Sequence, residues 1–152
     1  MILQVSGGHG VGKTFLSKKL AQLLGYKYVS LDPLAFGVSR EDTCKPDFPQ
    51  KQFMKWQMQT QKQMDNIVTD RGPEDAAAYA VAYGLLSLEE CMSILRSELE
   101  WRKQKVQVIL LEADNPTYRP ETQIPPEDIA ELIRTFLLAE GLRWIRVRWR
   151  LP

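Results

Sequence analysis

The chain has 152 residues, enough for one domain around one core. It is 44% hydrophobic and 26% charged, an ordinary globular composition, and no apolar run approaches membrane-spanning length. Twenty basic against nineteen acidic residues leave a formal charge of +1, which excludes a global electrostatic attraction to nucleic acid but leaves local patches open.

Residues 2–6 are an apolar run expected to form a buried strand. Residues 7–14 follow as Gly7-Gly8-His9-Gly10-Val11-Gly12-Lys13-Thr14, the G-x-x-x-x-G-K-[ST] pattern of a phosphate-binding loop. Glycines let the backbone wrap closely around an anion. Lys13 is expected to reach the β- and γ-phosphates of ATP, and the Thr14 hydroxyl to help hold Mg²⁺. His9, the sole histidine, either touches phosphate or is a variable loop position, the plainer reading. Leu16, Leu20, Leu23 and Leu24 fall at helical spacing behind the loop, and Gly25 ends that helix. Strand, loop and helix together aim backbone N–H groups and a positive helix end at phosphate.

Residues 26–30 read as a second strand, ending at Leu31-Asp32-Pro33, and residues 34–50 as a loop. A helix is expected over about 50–66, then a short strand at 67–69 running into Asp70-Arg71-Gly72. Pro73 suits the first position of another helix, with Glu74 and Asp75 complementing its positive end. Ser87 and Glu90 form a capping box for a helix whose apolar positions are Leu88, Cys91, Met92, Leu95 and Leu99. Residues 106–111 are the clearest buried strand, and residues from about 112 to 124 a loop. The last helix spans about 126–140, with Ile129, Leu132, Ile133, Phe136 and Leu137 as its core stripe. A final strand covers 144–151. Cys44 and Cys91 lack metal-ligand spacing and are expected as free thiols in a reducing, cytoplasmic setting. The first strand is expected to begin at once, a reading in which no signal peptide is expected.

Strands alternate with helices five times, which predicts an α/β fold: a five-stranded parallel sheet between helical layers. Ligands in such sheets bind at the carboxyl ends of the strands. Asp32, after the second strand, is placed to take a proton from an acceptor hydroxyl or hold it in line; as a turn initiator before Pro33 it needs no ligand. Asp70 is placed to orient Mg²⁺ and Arg71 to take a phosphate, or the two serve only as a helix-entry ion pair. Arg119 lies in the loop after the fourth strand, where it either closes over nucleotide or is a solvated arginine.

These residues resemble the P-loop nucleoside and nucleotide kinases. The loop at 7–14 is similar to that group's phosphate loop. Leu31-Asp32-Pro33 is similar to the acidic-Pro element that carries the general base in nucleoside kinases. Asp70-Arg71-Gly72-Pro73, Asp75 and Ala78-Tyr79 resemble the Asp-Arg element of thymidylate-kinase-like and small AAA-type ATPase/kinase domains. Arg119 resembles their lid arginine, in a lid at about 113–124. Trp56-Gln57 and Gln59 are similar to the helix that reads the acceptor base in deoxynucleoside kinases, although Phe53, Trp56 and Met64 equally make an ordinary core helix. The resemblance implies a three-layer P-loop fold, a single kinase domain over 1–152, ATP and Mg²⁺ as cofactors, and Lys13, Asp32, Arg71 and Arg119 as catalytic residues.

The expected activity is therefore transfer of the ATP γ-phosphoryl group to a small acceptor, a nucleoside or nucleotide. Two alternatives stay open. One is a polynucleotide or modified-base kinase, because Arg143, Arg146, Arg148 and Arg150 interleave with Trp144 and Trp149; the plainer account is that charge guards an edge strand. The other is an ATPase or switch without an acceptor. The sequence carries no Asn-Lys-x-Asp guanine signature and no Asp-Glu ATPase pair at residues 70–71.

Overall fold

The computed structural model describes residues 1–117 and 124–152. The apolar runs form five strands: β1 (Ile2–Ser6), β2 (Lys27–Val29), β3 (Ile67–Thr69), β4 (Val106–Ala113) and β5 (Arg143–Trp149). Their order across the sheet is β2-β3-β1-β4-β5. Every neighbouring pair is parallel, so all five carboxyl ends lie on one rim. The helices are α1 (Lys13–Leu24), α2 (Gln50–Lys62), α3 (Pro73–Ala82), α4 (Leu88–Arg96), α5 (Leu99–Lys105) and α6 (Pro126–Glu140).

Strand periodicity splits the core in two. Ile2, Ile67, Val106, Val108 and Leu110 point to a large face covered by α2, α3, α4 and α6. Leu3, Val5, Val68, Ile109 and Leu111 point the other way, against α1. Successive side chains of a strand alternate faces, so an unbroken apolar run serves both layers. This is the expected three-layer α/β arrangement.

Several local expectations need correction. α1 buries Lys13, Ser17 and Ala21 at i, i+4 spacing, while Leu23 is 80% exposed and Leu24 50% exposed. The helix after Ser87 stops at Arg96, and Leu99 opens a separate helix, so the apolar spacing crosses a break. Leu88, in that helix's first turn, is exposed. Residues 34–50 contain two short 3-10 turns, Pro33–Phe36 and Asp42–Cys44. α2 ends at Lys62, and β4 runs two residues past Leu111.

Beneath the rim the large layer is polar. Arg102 is fully buried and donates to Glu74 (2.5 and 3.0 Å), Glu140 (3.1 Å) and the side-chain Oε1 of Gln4 (3.0 Å). Gln4 in turn donates to Glu74 and Ser6, and Gln61 donates to Gln4. Burial works against the Glu74 carboxylate, but the Arg102 charge and its hydrogen bonds hold the pKa low. Burial and the facing Glu74 push the Glu140 carboxyl up, which favours its neutral form. Its place at the end of α6 acts in the same direction, since a helix C-terminus repels negative charge.

Candidate functional site

β1 delivers the glycine loop to the rim. Gly10 (φ 71°) and Gly12 (φ 94°) occupy left-handed backbone that other residues resist. Space is short as well. A side chain on Gly12 would meet the Trp149 ring at 2.6 Å, and one on Gly8 would meet the Pro126 carbonyl oxygen at 2.4 Å. Lys13 is buried and donates to the carbonyls of Gly7 (2.8 Å) and Gly8 (2.7 Å). Its charge is thus held inside the loop. Val11 accepts from the Trp149 indole at 2.8 Å, which ties the loop to the end of β5. Thr117 donates its backbone N–H to the Gly10 carbonyl at 2.8 Å.

Asp75 locks this loop to the next element. One carboxylate oxygen accepts from Ser6 Oγ (2.6 Å) and the Gly72 N–H (3.0 Å); the other accepts from the Gly7 N–H (3.0 Å). Burial pushes this carboxyl up, while Lys13 and the three donors favour its charge. Both oxygens accept, so the geometry holds the carboxylate. The sequence placed Asp75 and Glu74 as helix-end charges. Both do lie in the first turn of α3, where Asp75 accepts from the N-cap Gly72 N–H, and both are buried and serve the interior as well.

β3 delivers Asp70 and Arg71. Asp70 Oδ2 accepts from Tyr28 Oη (2.5 Å), Ser30 Oγ (3.1 Å) and Thr14 Oγ1 (3.3 Å), and Oδ1 accepts from the Leu31 N–H (2.9 Å). Thr14 and Asp70, paired in the sequence reading, are therefore together. Burial, then the bond to Asp70, pushes the Tyr28 hydroxyl up to about 12. Among the described residues no group of three or more His, Cys, Asp or Glu gathers as a metal cage.

Asp32 follows β2 and faces Arg71. Its Oδ2 accepts from Arg71 Nη1, and from Arg40 through Nη2 (2.9 Å) and Nε (3.3 Å). Its Oδ1 accepts from the Leu34 N–H at 2.9 Å, capping the 3-10 turn. Burial would raise its pKa, but Arg71, Leu34 and Arg40 together hold it at about 2. Arg71 is itself half-buried and faces Asp32, Asp70 and Asp75. Arg40, from the irregular segment before α2, was not singled out in the sequence. Nothing in a loop of mixed charge marks one arginine over another.

A cavity joins these groups. It reaches from His9 of the glycine loop past Asp75 and Arg71 to Arg40, with Phe53 and Tyr79 on its apolar wall. His9 Nδ1 lies 3.1 Å from Tyr79 Oη. Gln57 also lines it and is fully buried. Its amide donates to the Leu31 carbonyl at 3.1 Å, and its Oε1 has no partner among the described residues. Trp56 instead packs with Phe36 and Phe53, as a core residue does. The structure thus brings Lys13, Thr14, Asp32, Asp70 and Arg71 to one rim; Arg119 and the middle of the expected lid lie outside the described residues.

At the far edge of the sheet, Arg146 and Arg148 of the four β5-region arginines are paired among the described residues. Arg146 meets Glu112 (3.0 Å) and Glu131 (2.9 Å), and Arg148 meets Asp114 (2.5 Å). Trp149 at this edge is engaged by the glycine loop. Among the described residues no helix is long and apolar enough to cross a membrane.

The sheet order, the glycine loop and the rim define the P-loop fold of nucleoside and nucleotide kinases. The chain belongs to the AAA domain family, whose model matches residues 3–150. No curated protein matches the sequence. Among solved structures it is similar to the YorR protein of Bacillus subtilis in complex with phosphorylated GDP. That match has a TM-score of 0.63 at 19% identity and covers 97% of this chain and 85% of that one. It is also similar to the NadR protein in complex with NR (TM-score 0.69, 16% identity, 95% of this chain but 43% of that one). A deoxyadenosine kinase from M. mycoides with bound dCTP matches with a TM-score of 0.58 at 14% identity, over 97% of this chain and 90% of that one. At these identities the likeness is one of fold.

Proposed function

We propose that this protein is an ATP- and Mg²⁺-dependent phosphotransferase whose acceptor is a nucleoside or nucleotide. One observation carries the reading: the cavity lined by Arg40, Arg71 and Gln57 is also lined by His9 of the glycine loop, which supports a guest there meeting a phosphate bound on that loop. Fold neighbours whose structures hold dCTP or phosphorylated GDP support a nucleotide ligand. So does the chemistry of the wall. Phe53 and Tyr79 offer aromatic surface to a flat base, and the unpaired Gln57 Oε1 accepts an N–H from it.

In this reading the N–H groups of residues 7–14 and the N-terminus of α1 hold the ATP phosphates. Lys13 gives up its loop carbonyls and turns its charge to the β- and γ-phosphates. Thr14 Oγ1 and Asp70 Oδ2, 3.3 Å apart, would hold Mg²⁺, a hard cation that takes oxygen ligands and keeps several waters. Bound there, the ion supplies charge neutralisation on the β- and γ-phosphate oxygens. An acceptor oxygen bonds to the γ-phosphorus as the bond to the β,γ-bridging oxygen breaks, and ADP leaves. Asp32 and Arg71 orient the acceptor, so catalysis rests on positioning and electrostatic stabilisation. The two free cysteines, Cys44 and Cys91, fit a reducing compartment such as the cytoplasm. The test is transfer of label from γ-labelled ATP into pooled nucleosides and nucleotides. Labelled organic product that vanishes in Lys13→Ala supports the reading; release of inorganic phosphate alone, whatever the acceptor, refutes it.

A further inference from the structure

The acceptor end of the cavity holds a local imbalance of hydrogen-bond donors. Arg40 and Arg71 both converge on a single oxygen, Asp32 Oδ2, which takes three guanidinium N–H groups. The other oxygen of Asp32 is used by Leu34. Asp70 and Asp75 face Arg71, but their oxygens are filled by hydroxyl and backbone donors. Two planar guanidiniums that line the cavity, which His9 of the glycine loop also lines, therefore share one carboxylate oxygen.

The two arginines are not equivalent. The Arg71 side chain is 13% exposed and fixed at the end of β3, whereas that of Arg40 is 39% exposed on an irregular segment. Arg40 is the one able to exchange partners. A phosphate group matches a guanidinium fork better than two places on a single carboxylate oxygen that Arg71 also uses. Resting on the kinase reading above, we propose that the acceptor is a nucleoside monophosphate, and that Arg40 selects it by moving from Asp32 to the acceptor phosphate. The base lies against Phe53 and Tyr79, and the phosphate lies between Arg40, Arg71 and the glycine loop.

The chemistry is consistent. A phosphate oxygen of the acceptor forms the new bond to the γ-phosphorus, the bond to the β,γ-bridging oxygen breaks, and ADP and a nucleoside diphosphate result. The attacking phosphate is already anionic at neutral pH, since its second pKa is about 6, so no base is needed. A hydroxyl acceptor must instead shed a proton, and Asp32, held at about 2 by its arginines, is a weak proton acceptor.

The test uses the full chain, γ-labelled ATP and matched pairs of nucleosides and their 5′-monophosphates carrying each base, in ribose and deoxyribose form. Expected is transfer to a monophosphate, with its parent nucleoside at least about tenfold lower in kcat/KM. Arg40→Ala is expected to raise KM for that monophosphate about tenfold to a hundredfold with KM for ATP unchanged, and Arg40→Lys to recover part of the loss. Melting temperatures of both variants check folding. Lys13-dependent transfer to nucleosides in preference to monophosphates overturns this inference and leaves the kinase reading standing. An unchanged monophosphate KM in folded Arg40→Ala overturns the role of Arg40. Transfer to no acceptor in either class overturns the kinase reading and this inference together.

Discussion

Asp75→Asn separates the loop-anchoring role of this carboxylate from the helix-end role its position suggests. The amide has one acceptor oxygen where the carboxylate has two. If the amide nitrogen takes the place of Oδ2 it faces the Gly7 N–H; if it takes the place of Oδ1 it faces the Gly72 N–H. Ser6 can reverse its hydroxyl, but a backbone N–H cannot. Either way one buried donor is left unmet, at about 1–3 kcal/mol. Lys13 also loses the neighbouring negative charge. Domains of this size have about 5–15 kcal/mol of stability, so the variant stays folded at 25 °C. The Gly7 end of the phosphate loop then moves, and a displacement of about 1 Å at a reacting site can cost about a hundredfold in rate. Urea unfolding followed by circular dichroism gives the stability change, and label transfer at 25 °C gives turnover. The expected result is a lower unfolding midpoint with at least about a tenfold loss of turnover in protein that is still fully folded. Unaltered stability and turnover would refute the anchoring role. A turnover loss that merely tracked the unfolded fraction would refute the functional half.

The buried network makes a paired prediction: Glu140→Gln is expected to cost under about 1 kcal/mol, because burial and Glu74 favour the neutral form of that carboxyl, whereas Glu74→Gln strips Arg102 of its counter-charge and is expected to cost about 3–5 kcal/mol. Chemical denaturation of the two variants compares them directly, and equal losses would contradict the assignment of the proton. Asp32 has a folded pKa near 2, below its unfolded value of about 4, so its contribution to stability is full above about pH 4 and is lost as pH falls towards 2. Acid titration of wild type against Asp32→Asn is expected to show the wild type losing more stability across that window. Asp70→Asn is expected to raise the Mg²⁺ concentration needed for half-maximal turnover, and an unshifted Mg²⁺ titration would remove Asp70 from the metal site. Trp149→Phe deletes the indole bond to Val11 and is expected to cost about 1 kcal/mol in thermal or chemical unfolding.

The sequence reveals most about the site where local chemistry is regular. The glycine loop announces itself because an anion needs close backbone approach and a helix N-terminus, and both leave fixed spacings between Gly7 and Thr14. Rim residues follow from strand ends once the sheet is known to be parallel, which is how Asp32, Asp70 and Arg71 come together. Buried polar pairing over long separations leaves no such trace. Gln4 inside an apolar strand, and Arg102 in a short helix of ordinary basic character, meet 98 residues apart. Glu74 carries the composition of a solvated helix start and is fully buried. Arg40 sits in a segment with no period at all, so only the fold brings it to Asp32. The break at Ser97 was hidden for a related reason: the apolar spacing from Leu88 to Leu99 continues across it.

The central claim is that the glycine loop and the cavity of Arg40, Arg71 and Gln57 form one phosphoryl-transfer site. The most direct measurement is recovery of γ-labelled phosphate from ATP on a nucleoside or nucleotide acceptor, by wild type and by Lys13→Ala. The account predicts labelled organic product from wild type and at least about a hundredfold less from Lys13→Ala that still unfolds cooperatively, the scale of a lost transition-state charge contact. Wild type that releases only inorganic phosphate with every acceptor, or Lys13→Ala that transfers as well as wild type, would contradict it.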